Sequence, residues 1–403
     1  MIFASTPSFV VFANAFSARN GSSFSASSSS RSNAFVVSRN RGKEKTTKVC
    51  VVTRAFRLGS VDQDELDAPK IDISLTRIKK GNKIGEGSFG SVFRGTLKDE
   101  KNESMETQVV LKSLNKKRGR DVEAFYQDEL NVLNRLKKND GVAPFLGVAG
   151  ANVYLVFGYQ GSTTLEMCLR KGGFAAVKRA MKEPEMSDAE ILKLGAKTLL
   201  ESVGKVNSAN VIHRDVKPAN ILVAEESYGK STAKRFIMID AGAACDLRIG
   251  KKKILESGAI FDPTYGAPEQ FRRVRAAGIM GMFSSKKNEG AGELEATGAA
   301  PTAAFDAFGV GLTLLRLAVP ALHPPGAMKL ARSAMDEAAE RIQEDGSSGS
   351  VLDEWASGPG SESCDFGLLD KLGAWSLVEG LTQWDPTRRM TLEEALSLSL
   401  IHI

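Results

Sequence analysis

Between Thr76 and about Leu155 the apolar residues come in short runs broken by glycines and polar residues, which is a strand pattern. Ile84–Arg94 alternates around glycines and predicts a strand–turn–strand hairpin. Val109–Leu111 and Val153–Tyr159 each predict a short apolar strand. Between those two, Asp121–Lys137 places Val122, Phe125, Leu130, Leu133 and Leu136 at helical spacing. Beyond Gly161 the pattern turns mainly helical. Ser187-x-x-Glu190 is a capping box opening a helix through Ile191, Leu194, Leu199 and Val203, and Thr391-x-x-Glu394 opens the last helix in the same way. Residues 274–304 and 345–363 are rich in Gly, Ala and Ser and read as loops, and 58–75 is polar and acidic and reads as a linker. The expected class is α+β, a strand-rich part with one prominent helix followed by a larger helical part.

The first sixty residues do not share this pattern. Residues 1–43 contain no Asp or Glu and twelve Ser, with Arg from Arg19 onward. Such a segment buries too little apolar surface to order itself, and its composition is that of an organellar transit peptide. The lack of Arg before position 19 disfavours a basic mitochondrial helix and favours a chloroplast address, so 1–57 is expected to be a transit-like segment. A polar tail of a protein of another compartment is the alternative.

Charge follows the same division. The chain of 403 residues has a net charge of +6, but residues 1–60 hold nine Lys/Arg and one acid, leaving the remainder at −2. A near-neutral body gives no reason to expect nucleic-acid binding. The four cysteines, Cys50, Cys168, Cys245 and Cys364, form no CxxC pair, so neither a zinc site nor a disulfide framework is implied. No run reaches the ~18 apolar residues that span a bilayer; the nearest, Ala307–Leu322, is interrupted by Arg316.

Four groups of residues carry chemistry. Gly85-Glu86-Gly87-Ser88-Phe89-Gly90-Ser91-Val92 matches G-x-G-x-x-G-x-V, in which bare backbone N–H groups can approach phosphate oxygens. Its place between two strands disfavours a dinucleotide fold, which needs strand then helix. Lys112 ends an apolar strand and Glu129 lies on the next helix; a phosphate needs a cation, and that cation needs an anion to fix its rotamer. Either charge alone would be read as a solvated surface group. His213-Arg214-Asp215-Val216-Lys217-Pro218-Ala219-Asn220 is the most specific signal. Asp215 would accept or orient a substrate hydroxyl proton, and Asn220 would bind magnesium. Asp240, in Met238-Ile239-Asp240-Ala241-Gly242, supplies a second carboxylate for the ion that bridges the β- and γ-phosphates of ATP.

These residues resemble the protein kinase superfamily over roughly 77–402. Ala267-Pro268-Glu269 matches the motif that closes the activation segment, Asp306 resembles the buried aspartate of the large-lobe helix, and Arg389 the arginine that pairs with the closing glutamate, here Glu269. Lys217 between Asp215 and Asn220 is the pattern of Ser/Thr kinases. The resemblance implies a bilobal fold with an N-lobe at 76–160, a C-lobe at 161–402 and ATP with Mg2+ in the cleft. Gly85, Gly87, Ser88, Gly90, Val92, Val110 and Lys112 would line the nucleotide site, with Phe157 as gatekeeper and Gly158-Tyr159-Gln160 as hinge. Asp215, Lys217, Lys112 and Glu129 would be catalytic, and Asn220 and Asp240 would hold the metal. Residues 239–271 and FDAFGVGLTLLRLAVPAL are also similar to the chloroplast thylakoid kinases of plants and algae, as is the long insertion that puts 37 positions between Glu269 and Asp306. That implies light-harvesting or photosystem II proteins as substrates; the relatives' membrane segment is not found in this sequence, so a stromal kinase or a peripheral one on the stromal face of the thylakoid is expected. A pseudokinase that binds ATP without phosphotransfer stands as the other reading.

Three departures from the family pattern carry expectations. Ala241 replaces a phenylalanine, which calls for a bulky neighbour or a mobile Asp240. Asp262 stands where a threonine is usual, so Lys217 is expected to bridge Asp215 and Asp262. Arg214 before Asp215 leaves room for activation through phosphorylated Ser257 or Thr264.

Overall fold

The structure is a computed structural model, and it describes residues 72–87, 90–102, 104–114, 120–150, 153–223, 236–248, 262–274 and 293–398. The transit-like segment, Ser88 and Ser257 lie outside these residues, as does most of the predicted insertion.

The glycine-spaced hairpin is longer than its sequence signal. β1 is Asp72–Ile73, β2 Ile78–Gly87, β3 Gly90–Lys98, β4 Glu106–Leu114, β5 Phe145–Ala149 and β6 Tyr154–Gly158. They form one sheet in the order β1-β5-β6-β4-β3-β2. β2 and β3 run antiparallel, with Gly87 opposite Gly90 at the turn. Alternation along β4 divides the sheet into two faces. Val109 and Leu111 point to one side and are fully buried with Ile73, Ala149 and Val156. Val110 and Lys112 therefore point to the other. Helix α1, Arg120–Arg135, follows β4, with Leu130 and Leu133 buried.

Asp72–Ile73 corrects the linker expectation. This stretch pairs in parallel with β5, and Ile73 is buried. Two residues of one apolar side chain are too short a signal for periodicity to find. β5 was also missed, because Gly147 interrupts its alternation at an irregular register.

The larger lobe is built on helices. α2 is Leu165–Gly172, α3 Phe174–Met181 and α4 Asp188–Ser208. α4 opens with the expected Ser187/Glu190 capping box. Short strands β7 (Val211–Ile212), β8 (Ile221–Val223), β9 (Phe236–Met238) and β10 (Cys245–Asp246) pair as β7 with β10 and β8 with β9. α5, Ala303–Ala318, is apolar on nearly every face and runs through the core. Gly309 lets it lie against the chain at Val216: a Cβ there would sit 2.8 Å from the Val216 carbonyl.

Both predicted loops contain regular structure. β11 (Phe271–Val274) and β12 (Glu293–Ala296) pair antiparallel, and α5 already begins at Ala303. After α6 (Ala327–Glu344), α7 (Val351–Ser357) lies inside the predicted loop 345–363. Its Ser350 cap accepts from the Asp353 N–H, and Val351, Leu352 and Trp355 form one buried face. Averaging over a Gly- and Ser-rich window hid that face. α8 (Gly367–Leu372), α9 (Trp375–Leu381) and α10 (Leu392–Ser397) complete the lobe, the last opened by the expected Thr391/Glu394 box.

Candidate active site

Register alone brings one group of predicted residues together. Val92 pairs with Lys112 across β3 and β4, and Val110 pairs with Phe157 across β4 and β6. Directly opposed residues share a face, as do residues two apart on one strand. Val92, Val110, Lys112 and Phe157 therefore line the same side of the sheet, below the Gly85–Gly90 turn. Phe157 lies against Phe145 with ring centroids 5.5 Å apart. Beyond β6 the Tyr159 N–H donates to the Gln108 carbonyl at 3.1 Å, and Arg94 stacks on the Tyr159 ring at 4.4 Å. Gln160 is buried, and neither atom of its amide has a hydrogen-bond partner.

Lys112 joins the lobes. Its Nζ donates to Glu129 Oε1 at 2.6 Å and to Asp240 Oδ1 at 2.9 Å. Glu129 comes from α1, so the helix fixes the strand lysine as the sequence predicts. Burial pushes the Lys112 ammonium down, but the Asp240 and Glu129 charges outweigh it and hold it well above its usual range. Burial pushes the Glu129 carboxyl up, and Lys112 only partly offsets it. For Asp240 burial also pushes up. Lys112 and the Gly242 N–H, 3.1 Å away, win and hold the carboxyl at about 2. Ala241 next to it is buried in the cluster that includes Tyr126 and Leu133 of α1.

The loop from His213 to Asn220 is held from below. The Asp306 carboxylate of α5 accepts from the His213 and Arg214 N–H groups, both at 2.8 Å. Arg214 has φ of 63° and Asp240 φ of 64°, left-handed backbone that is strained in non-glycine residues. Asp306 compensates the first; the bond from Gly242 to Asp240 supports the second. Asp215 is nearly buried, and burial pushes its carboxyl up against the pull of Lys217. Lys217 Nζ lies 2.9 Å from Asp215 and 3.3 Å from Asp262, the expected bridge. Asn220 donates to the Asp215 side chain at 2.7 Å and to its carbonyl at 2.9 Å. Its amide nitrogen is thereby engaged and its oxygen left as an acceptor.

Arg389 donates to both Glu269 oxygens, at 2.7 and 2.9 Å. Two further arginines brace the site and were not singled out by the sequence. Arg316 was noted only for interrupting an apolar run, yet it bonds Glu166 at 2.5 Å and the Tyr265 hydroxyl at 2.7 Å. A charge inside a buried helix was the available signal. Arg332 donates to the Gly266 carbonyl at 2.8 Å, and on the amphipathic α6 nothing in the sequence marked it.

Residues 78–279 match the family described as protein tyrosine and serine/threonine kinase. The chain is 26% identical over 340 residues to the chloroplastic serine/threonine-protein kinase STN7 of Arabidopsis thaliana, covering 79% of this chain and 56% of that protein. It is 27% identical over 293 residues to the chloroplastic STN8 of the same plant, covering 61% and 55%. The chain thus spans a little over half the length of these relatives. A crystal structure of an Stt7 homolog from Micromonas algae, soaked with ATP, has a similar fold, with a TM-score of 0.59 at 20% identity. That match covers 87% of this chain and 98% of that one.

Proposed function

The chain belongs to the protein tyrosine and serine/threonine kinase family, and from that premise we propose that it transfers the γ-phosphoryl group of ATP to serine or threonine hydroxyls of chloroplast proteins. The observation that carries this reading is the Glu129–Lys112–Asp240 ion triad, which closes the small lobe onto the large one. A lysine held this way presents a fixed charge to the α- and β-phosphates. Gly85, Gly87 and Gly90 would cover the phosphates, and Val92, Val110 and Phe157 would bound the adenine, with Tyr159 and Gln160 at its edge.

Asp215 is the proposed base. Its buried carboxylate, oriented by Asn220 and Lys217, would align the acceptor hydroxyl and take its proton. Lys217, held between two carboxylates, would face the transferring phosphoryl group. Asn220 Oδ1 and the Asp240 carboxylate are hard oxygen donors, the kind that suit Mg2+. Bound there, Mg2+ would neutralise the charge developing on the β- and γ-phosphates.

The chloroplast assignment is supported by the acid-poor, Ser-rich composition of residues 1–43 and by the chloroplastic relatives. Thylakoid proteins, including light-harvesting and photosystem II proteins, are the proposed acceptors. No helix of the described residues is long and apolar enough to cross a membrane. The test is phosphotransfer from Mg-ATP by the full chain to isolated thylakoid and stromal fractions, beside an Asp215→Asn control. Label on serine or threonine that vanishes in the control is expected. ATP binding with no label in either fraction would replace the enzyme with a pseudokinase.

A further inference from the structure

A cavity of about 130 Å³ opens beside Lys217. This is more than the space a single water needs, and it is large enough for one polar side chain. Lys217 and Asp262 line it, one ammonium sitting between Asp262 and Asp215. Among the other lining residues, Glu166, Arg170, Arg316 and Lys329, the arrangement is reversed. There one carboxylate, Glu166, lies between two guanidiniums, with Arg170 at 2.6 Å and Arg316 at 2.5 Å.

Glu166 has little left to offer a ligand. Its Oε1 accepts from Arg170 and Arg316, and its Oε2 from Arg316. The cations are less fully used. Arg170 engages Glu166 through Nε, which leaves its two Nη groups as donors. Lys329 is exposed and has no acidic partner within ion-pair distance among the described residues. Arg316 is fixed by the Tyr265 hydroxyl and by the Leu322 and His323 carbonyls, so this cation is held by buried structure. Ala219, also on the lining, adds no charge.

Resting on the phosphotransfer reading, we infer that this cavity seats an anionic side chain of the protein substrate, a carboxylate or a phosphate, close to the acceptor hydroxyl. The neutral hydroxyl meets the carboxylate of Asp215 while its anionic neighbour is drawn to the cations Arg170, Arg316 and Lys329. A substrate with arginine at the same position would meet those cations and find Glu166 already occupied. Like charges so placed oppose docking.

The test uses the full chain and a set of peptides with one threonine, differing only in the flanking residue: Glu, phosphoserine, Ala or Arg. Turnover and binding, by fluorescence anisotropy, are read for each. The Glu or phosphoserine peptides should exceed the Ala peptide by about tenfold in kcat/KM, with Arg lowest. The advantage should shrink as salt rises. Lys329→Glu should remove about fivefold of that advantage, read as the ratio of kcat/KM for the Glu peptide to that for the Ala peptide. A response to phosphoserine alone would identify a previously phosphorylated substrate; a response to both would show that a carboxylate suffices. Equal use of the Glu, phosphoserine and Arg peptides would overturn the inference. Selective binding of anionic peptides without transfer would retain the cavity assignment and overturn the enzymatic reading. Neither transfer nor selective binding would overturn both.

Discussion

Asp262 reaches the Lys217 ammonium at 3.3 Å across 45 residues of chain. This ties the end of the activation segment to the proposed catalytic base, because Lys217 also holds Asp215. The consequence appears in pH. Burial raises the Asp215 carboxyl most, Lys217 lowers it, and the Asp262 charge raises it again. A base works when ionised, so activity falls as pH drops through the Asp215 pKa. Asp262→Asn removes an upward push, and the acid limb of the kcat profile should move to lower pH. Turnover at the optimum should fall roughly tenfold, since Lys217 loses a partner. An acid limb that stays in place would break the link.

Asp240 makes a prediction about stability. Its carboxyl is held down at about 2 from an ordinary value of 3.8. A lowered pKa stabilises the fold above the unfolded value, and that contribution is lost as pH falls through the folded one. Asp240→Asn should therefore lower the melting temperature at pH 7 and lower it much less near pH 2. An equal loss at both would show that the charge on Lys112 is not responsible.

The Arg389 side chain has no solvent exposure and also donates to the Ala304 carbonyl. Arg389→Met leaves Glu269 nearly buried without a counter-charge. The expected cost is about 3–5 kcal/mol, read as a lower urea midpoint at constant m-value. Arg389→Lys should recover only part, because an ammonium cannot bond both oxygens as a planar fork does.

Arg332 makes a different prediction. Its guanidinium lies 4.9 to 5.3 Å from the rings of Trp384, Phe308 and Phe271, and it holds the Gly266 carbonyl beside the closing motif. Arg332→Met keeps apolar bulk and loses the donor and the cation–π contacts. The KM for protein substrate should rise several-fold while the KM for ATP stays unchanged, and Arg332→Lys should restore part of the loss. A parallel change in both constants would mark general destabilisation instead.

Much of this was legible in the chain because it is local. A capping box needs only Ser187 and Glu190 on one turn, and Asp215 and Asn220 meet because five residues separate them in a short loop. The glycine turn and the helical face of Leu130 and Leu133 are similarly short-range. The pairing of Arg389 with Glu269, 120 positions apart, came instead from resemblance, and that of Lys112 with Glu129, 17 positions apart, from the need of a phosphate-binding cation for an anion.

Local order, chemical type and spacing were thus determined by the sequence alone: an α+β chain with one lysine, one glutamate, two aspartates and an asparagine in a phosphate-handling order. Tertiary structure decided which charges neutralise one another. Glu166, Arg316 and Tyr265 belong to three distant segments, and only their meeting engages Glu166 beside the cavity that Arg170 and Lys329 also line. Coulomb energies depend on separation in space and on burial, and neither can be read from a list of residues.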